Sequence, residues 1–134
     1  HIVATTSHTT AGRPGSVLDP SEFSARALAV VPSGSNLTGP RPAEPLGYTD
    51  VSPLMARLFA EVGRAAAKWT RAQAAPIVEK LYDTYSDKLT FDVAPQGKPF
   101  EELYDLDSLT PRPEHQALYD EVKGELVRLG VPLA

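Results

Sequence analysis

Between residues 32 and 47 the chain sets Pro32, Pro40, Pro42 and Pro45 among Gly34, Gly39 and Gly47. Proline fixes φ and removes an amide donor, so this density forbids a long helix or a central strand there. The stretch reads as an extended linker, with Asn36-Leu37-Thr38 as at most a short strand. It separates residues 1–47, with one strand and one capped helix, from residues 48–134, a helical C-terminal unit.

Ahead of the linker, Ile2-Val3-Ala4-Thr5-Thr6 is a short β-prone run. It stops in the polar Ser7-His8-Thr9-Thr10 and the turn-rich Gly12-Arg13-Pro14-Gly15. Asp19-Pro20-Ser21-Glu22 reads as a helix start. Asp19 would cap, Pro20 would take the first helical position, and Glu22 would fall in the first turn. Phe23, Ala27 and Val30 or Val31 share one side of that helix, and Pro32-Ser33-Gly34 ends it.

Behind the linker, Ser52-Pro53 opens the strongest helical pattern. Leu54, Met55, Leu58, Phe59, Val62, Ala65, Ala66 and Trp69 recur at helical spacing, opposite a charged ladder of Arg57, Glu61, Arg64 and Lys68. A second helix follows the cap Thr70, with a stripe of Ile77, Val78, Leu81, Tyr82 and Tyr85; Pro76 should kink or restart it. A third begins near Pro113-Glu114, buries Leu118, Val122, Leu126 and Leu129, and closes at Gly130. The fold expected is mainly α with one or two short strands.

At 134 residues, 42% hydrophobic and 22% charged, the chain has the composition of one ordinary globular domain. A net charge of −4 argues against a nucleic-acid or anionic-membrane surface, which needs clustered Lys and Arg. The absence of cysteine excludes disulfides, thiolate metal sites and cysteine nucleophiles. No apolar run approaches the roughly 18–20 residues of a membrane span. The first residue is His1, as in a processed product or a part of something longer.

Candidate chemistry is sparse. His1, His8 and His115 are not spaced as metal ligands, and no metal site is expected. His115 lies on the apolar side of the last helix and reads as a structural, partly buried histidine. Ser7 and His8 follow a strand, where α/β folds place their chemistry; as sequence neighbours they are poor geometry for a nucleophile and its base. Gly12-Arg13-Pro14-Gly15 lacks the spacing of a phosphate loop and reads as a turn. Trp69, Tyr82, Tyr85, Tyr104 and Tyr119 have no interleaved basic residues and read as core or interface anchors.

One string stands apart: Lys98-Pro99-Phe100-Glu101-Glu102-Leu103-Tyr104-Asp105-Leu106-Asp107-Ser108-Leu109-Thr110-Pro111, followed by a helix ending at Leu129-Gly130. It resembles the C-terminal end of the monomethylamine:corrinoid methyltransferases. The block Tyr48-Thr49-Asp50, Met55-Ala56-Arg57 and Glu61 to Ala65 resembles the segment that precedes that end. The resemblance implies the C-terminal part of a (β/α)8 barrel, completed by another, larger chain. It implies an enzyme that moves a methyl group from monomethylamine to the corrinoid (cobalamin) of a separate partner protein, with pyrrolysine as catalytic residue in the archaeal members. The strand bearing that residue lies upstream of this chain.

On that alignment Ile2–Thr6 corresponds to a late barrel strand and Ser7–Thr10 to its mouth loop, and the tail wraps the barrel base or a subunit contact. Ser7 and His8 are then the catalytic candidates, orienting a small amine or the approach of the corrinoid. The chain alone would bind no cofactor, and activity would require the larger partner. Such a component is expected in the cytoplasm, as part of an oligomer. The alternative is a non-catalytic helical interaction or assembly module derived from the same family.

Overall fold

A computed structural model describes residues 3–42, 51–90 and 92–134. In chain order the elements are β1 (Ala4–His8), α1 (Leu18–Val30), β2 (Asn36–Arg41), α2 (Pro53–Ala66), α3 (Arg71–Tyr85), the short α4 (Phe100–Leu103) and α5 (Pro113–Arg128). The two strands pair in parallel, with α1 as the connection between them. Parallel neighbours need such a crossover, because a tight turn can join only antiparallel strands.

The first strand runs two residues further than the β-prone run, ending at His8; Ile2 lies outside the described residues. The supposed linker holds a true strand. β2 spans six residues, including Gly39 and Pro40. The pairing accommodates them by an irregularity: Thr5 faces Leu37, whereas Ser7 already faces Pro40. An extra residue on one strand disrupts the ladder locally, which is where a residue without an amide donor is tolerated. The remaining linker residues 43–50, with Tyr48-Thr49-Asp50, lie outside the described residues.

Helix α1 is the hub. It packs against β1, β2, α2, α3 and α5, and it buries Leu18, Phe23, Ala27 and Leu28. It starts two residues earlier than its sequence suggests, with Val17 at the cap position, so Asp19 is drawn into the first turn and buried. The cause is close packing at Gly12. A Cβ there would stand 2.7 Å from the Asp19 Cα, so the loop lies directly on the start of the helix.

Every apolar position read for α2 from Leu54 to Ala66 is buried, and Trp69 packs half-buried just past the helix end. Phe59 meets Phe23 of α1 with ring centroids 5.7 Å apart, a tilted contact. Such pairs add about 0.5–1.5 kcal/mol beyond their buried area. Gly63 lets α2 approach β2, since a Cβ there would come within 2.6 Å of Leu37 Cδ1.

In α3 the Thr70 hydroxyl accepts from the Gln73 amide and the Gln73 side chain accepts from the Thr70 amide, a complete capping box. The helix continues through Pro76 rather than restarting. It turns Ala74, Ile77 and Leu81 inward and leaves Tyr82 61% exposed, so Tyr82 is not a core anchor. Helix α5 buries His115, Tyr119, Val122 and Leu126, with Leu118 and Leu129 packed half-buried beside them. It ends in a Schellman motif. Gly130 has φ +98°, its amide donates to Val127 O at 2.9 Å, and the Val131 amide donates to Leu126 O at 2.9 Å.

Candidate active site

The two strands end side by side, with His8 opposite Arg41. Ser7 stands one position earlier, opposite Pro40. His8 is exposed, and among the described residues no hydrogen bond or ion pair reaches its imidazole. Both residues read from the sequence therefore sit at the C-terminal end of a parallel strand, on one strand and in succession.

The loop after β1 is held from below by α1. One Glu22 carboxylate accepts from three successive backbone amides, those of Thr10, Ala11 (2.9 Å) and Gly12 (2.7 Å). Three convergent amides make a nest for an anion, and here the chain fills it with its own carboxylate. A phosphate-loop reading of Gly12–Gly15 is thereby ruled out for these amides: they have no donor left to offer. The Thr9 hydroxyl donates to Gly12 O at 2.6 Å and tightens the same turn.

Behind the loop lie Arg13 and Asp19, each 2% exposed. The Arg13 guanidinium donates to Pro95 O at 3.3 Å and, at a longer 3.5 Å, to Ala94 O, while the Lys98 amide donates to Pro14 O at 2.9 Å. These bonds tie the stretch 94–98 to the loop that follows β1. Burial pushes the Asp19 carboxyl up to about 8, with the neighbouring Glu22 charge adding. Its Oδ1 has no hydrogen-bond partner among the described residues, so the neutral form is the one this site accommodates.

Ser52, Tyr104 and His115 join three tail elements in a buried polar chain. Tyr104 Oη accepts from the Leu54 amide at 3.0 Å and lies 3.0 Å from Ser52 Oγ; Ser52 Oγ lies 2.5 Å from His115 Nε2. The Tyr104 and Ser52 hydroxyls can each donate or accept here, the direction following the His115 tautomer, and His115 Nδ1 has no hydrogen-bond partner among the described residues. Burial, reinforced by the Lys98 charge, holds His115 below the usual imidazole value and so favours the neutral ring. A serine so enclosed, 2% exposed, is a structural link between the start of α2 and the start of α5.

A family model described as monomethylamine methyltransferase MtmB matches residues 2–131. The chain belongs to the monomethylamine methyltransferase family. It is 31% identical to the monomethylamine methyltransferase MtmB2 of Methanosarcina acetivorans over 119 residues, which are 88% of this chain and 26% of that protein. It is 32% identical to MtmB1 of Methanosarcina barkeri over 111 residues, 82% of this chain and 24% of that protein. The crystal structure of the Methanosarcina barkeri monomethylamine methyltransferase superposes with a TM-score of 0.80 at 27% identity, covering 97% of this chain and 28% of that one. The hydroxylamine complex of MtmB gives the same TM-score at 26% identity. The chain thus spans about a quarter of the length of the relatives it matches.

The family-like tail residues have structural work in this quarter. Tyr104 bridges to Pro111, the Asp105 amide donates to Thr110 O at 2.9 Å, and the Arg112 amide donates to Leu103 O at 2.8 Å. Phe100 stacks on Tyr104 with centroids 4.6 Å apart. Tyr119 donates to Glu61, which also pairs with Arg57 and Lys123, and so ties α5 to α2. Burial opposes the ionised Glu61, but the hydrogen bonds from Arg57, Lys123 and Tyr119 prevail and hold it below the usual carboxylate range. The sequence did not reveal the roles of Glu22 and Ser52. A carboxylate in the first turn of a helix and a serine before a proline both look like ordinary helix-start chemistry. Among the described residues no three His, Cys, Asp or Glu side chains converge as a metal site requires.

Proposed function

We propose that this chain is the C-terminal part of a methylamine:corrinoid methyltransferase-type enzyme, completed into a (β/α)8 barrel by a larger polypeptide. The observation that carries the reading is the pair of parallel strands joined by α1, within a superposition that covers 97% of this chain and 28% of a monomethylamine methyltransferase. A two-stranded sheet is too small to stand as a domain core of its own, and a barrel of this kind needs eight strands to close.

In such a barrel the C-terminal strand ends form the active-site face. Ser7 and His8 would line that face and orient the small methylated amine or the approach of the corrinoid protein. The corrinoid on that protein would supply the electron pair that takes up the methyl group, and the amine would leave with the electron pair of the broken C–N bond. Glu22 supports this role by fixing the loop that begins one residue after His8. No helix among the described residues is long and apolar enough to cross a membrane.

Native mass spectrometry of the protein from its source, with the denatured mass of each component, tests the proposal. The expected result is recovery of these residues with, or within, a polypeptide of barrel-forming length that transfers methyl from monomethylamine to cob(I)alamin. Recovery as a folded lone chain overturns it, and favours a helical assembly module derived from the family.

A further inference from the structure

The last residues of the two strands fall on the face of the sheet that the helices leave open. Leu37 of β2 lies against Gly63 of α2 and pairs with Thr5 of β1. Side chains alternate along a strand, so His8, three residues after Thr5, stands on the opposite face. In a regular β2, Arg41 would share the helix side with Leu37. The irregularity between Leu37 and Pro40 reverses that parity and makes Arg41 the partner of His8. Ladder partners share a face, on strands about 4.8 Å apart. Exposure agrees: Thr5, Leu37 and Pro40 are half-buried, whereas Ala4, Asn36, His8 and Arg41 are exposed.

A permanent cation and an imidazole thus stand side by side at the C-terminal ends of two parallel strands. The Thr9 amide donates to Arg41 O at 3.0 Å and carries the ladder one residue further, which holds the pair at its backbone. Arg41 has a partner within the chain, but its guanidinium carries five N–H donors, more than a single contact uses. On the barrel reading, on which this inference rests, the open face becomes the interior and these are the last two of eight strands. The loops after such strands frequently hold a phosphate. Here the amides of Thr10, Ala11 and Gly12 are already taken by Glu22, so an anion must be met by side chains.

We propose that Arg41 and His8 form an oxyanion subsite at the mouth of the completed barrel. The planar Arg41 fork would take two oxygens of one carboxylate or phosphate, and the His8 imidazole would donate to the same group from the neighbouring strand. Two groups close to the proposed reaction carry that chemistry. One is a carboxylate on the methylated amine itself; the other is the phosphate in the nucleotide tail of the corrinoid. Monomethylammonium is a cation and gains nothing from Arg41, so the subsite selects for something that the amine nitrogen does not offer.

NMR of the histidine-labelled protein as isolated tests this, with inorganic phosphate added at low salt and His8 assigned by the signal lost in His8→Gln. The expected result is a saturable shift of the His8 ring signals with those of buried His115 unmoved. Arg41→Gln should weaken phosphate binding about tenfold or more, and Arg41→Lys, which keeps the charge without the fork, should fall between. Both positions are exposed, and circular dichroism should show unchanged helix content. Displacement of the phosphate by N-methylglycine but not by methylammonium supports the subsite and assigns it to a carboxylate. Displacement by cobalamin, but not by a corrinoid stripped of its nucleotide tail, supports it and assigns it to the phosphate. No saturable shift overturns the proposal, as does binding that Arg41→Gln leaves unchanged. The readout involves no methyl transfer. A lone chain that binds phosphate keeps the subsite and loses the barrel, whereas an assembled barrel that does not bind it loses the subsite alone.

Discussion

Two residues at the loop after β1 show how little freedom that loop has. Gly12 has no alternative: a Cβ would stand 2.7 and 2.8 Å from the backbone of Asp19, and backbone cannot swing aside. Gly12→Ala should cost about 1–3 kcal/mol, the usual penalty of overpacking, and lower Tm by several degrees. Gly63→Ala is the control, since its Cβ would meet only the tip of Leu37, which can turn; a smaller loss is expected in the same thermal melt. Asp19 sets a pH dependence. Its folded-state pKa, about 8, lies above the unfolded 3.8, so the folded chain holds the extra proton between those values. That contribution is full below the unfolded value and is lost as pH rises toward 8. His115 acts in the opposite sense, its lowered pKa removing stability as pH falls below 6.5. Above pH 6.5 the two separate, and a falling Tm from there to pH 8.5 belongs to Asp19. Asp19→Asn should flatten that limb. A wild-type limb already flat would refute the buried neutral carboxyl.

Among the elements, the helices were readable because their signals are local. The apolar spacing from Leu54 to Ala66, the Thr70 cap and the Gly130 stop are each read within a turn or two of chain, and the structure has all three. Only the first half of β2, Asn36–Thr38, was readable as a short strand, because Gly39 and Pro40 argue against its continuation and the irregular pairing that admits them depends on β1, some 30 residues away. The loop after β1 was half readable. The position of Ser7 and His8 after a β-prone run was plain, whereas the Glu22 nest joins residues 10 to 12 apart through a turn of unpredictable path. Pro76 marks the same limit from the other side. Its propensity argues for a break, yet packing of Ala74 and Ile77 on either side carries α3 through it. Pro76 itself is exposed, so Pro76→Ala should restore one helical hydrogen bond and stabilise the chain by about 1–2 kcal/mol in urea melts. Tyr104→Phe should do the reverse. It strips the acceptor from the Leu54 amide and breaks the link to Ser52, at a cost of about 1–3 kcal/mol for a buried donor left unmade.

For the molecule as a whole, the decisive feature is what the sheet lacks. Each of β1 and β2 pairs only with the other among the described residues, so each keeps one edge of amides and carbonyls without a sheet neighbour. Parallel sheets are ordinarily covered on both faces and continued on both sides, yet Val3 just before β1 is 57% exposed and the strand ends in an exposed His8. The helices face no such deficit, because Phe23, Met55, Leu58, Val62 and Val122 close one core within this chain. Local stability should therefore divide along that line. In hydrogen exchange on the lone chain, amides of α1 and α2 should open only with global unfolding, while those on the outer edges of β1 and β2 should exchange far sooner. Within the completed barrel the same strand amides should gain protection of about a hundredfold or more, since strands on either side would then accept them, and helix amides should change little. Equal protection of the strands in both settings would mean that the sheet is finished as it stands, and the barrel reading would fall with it.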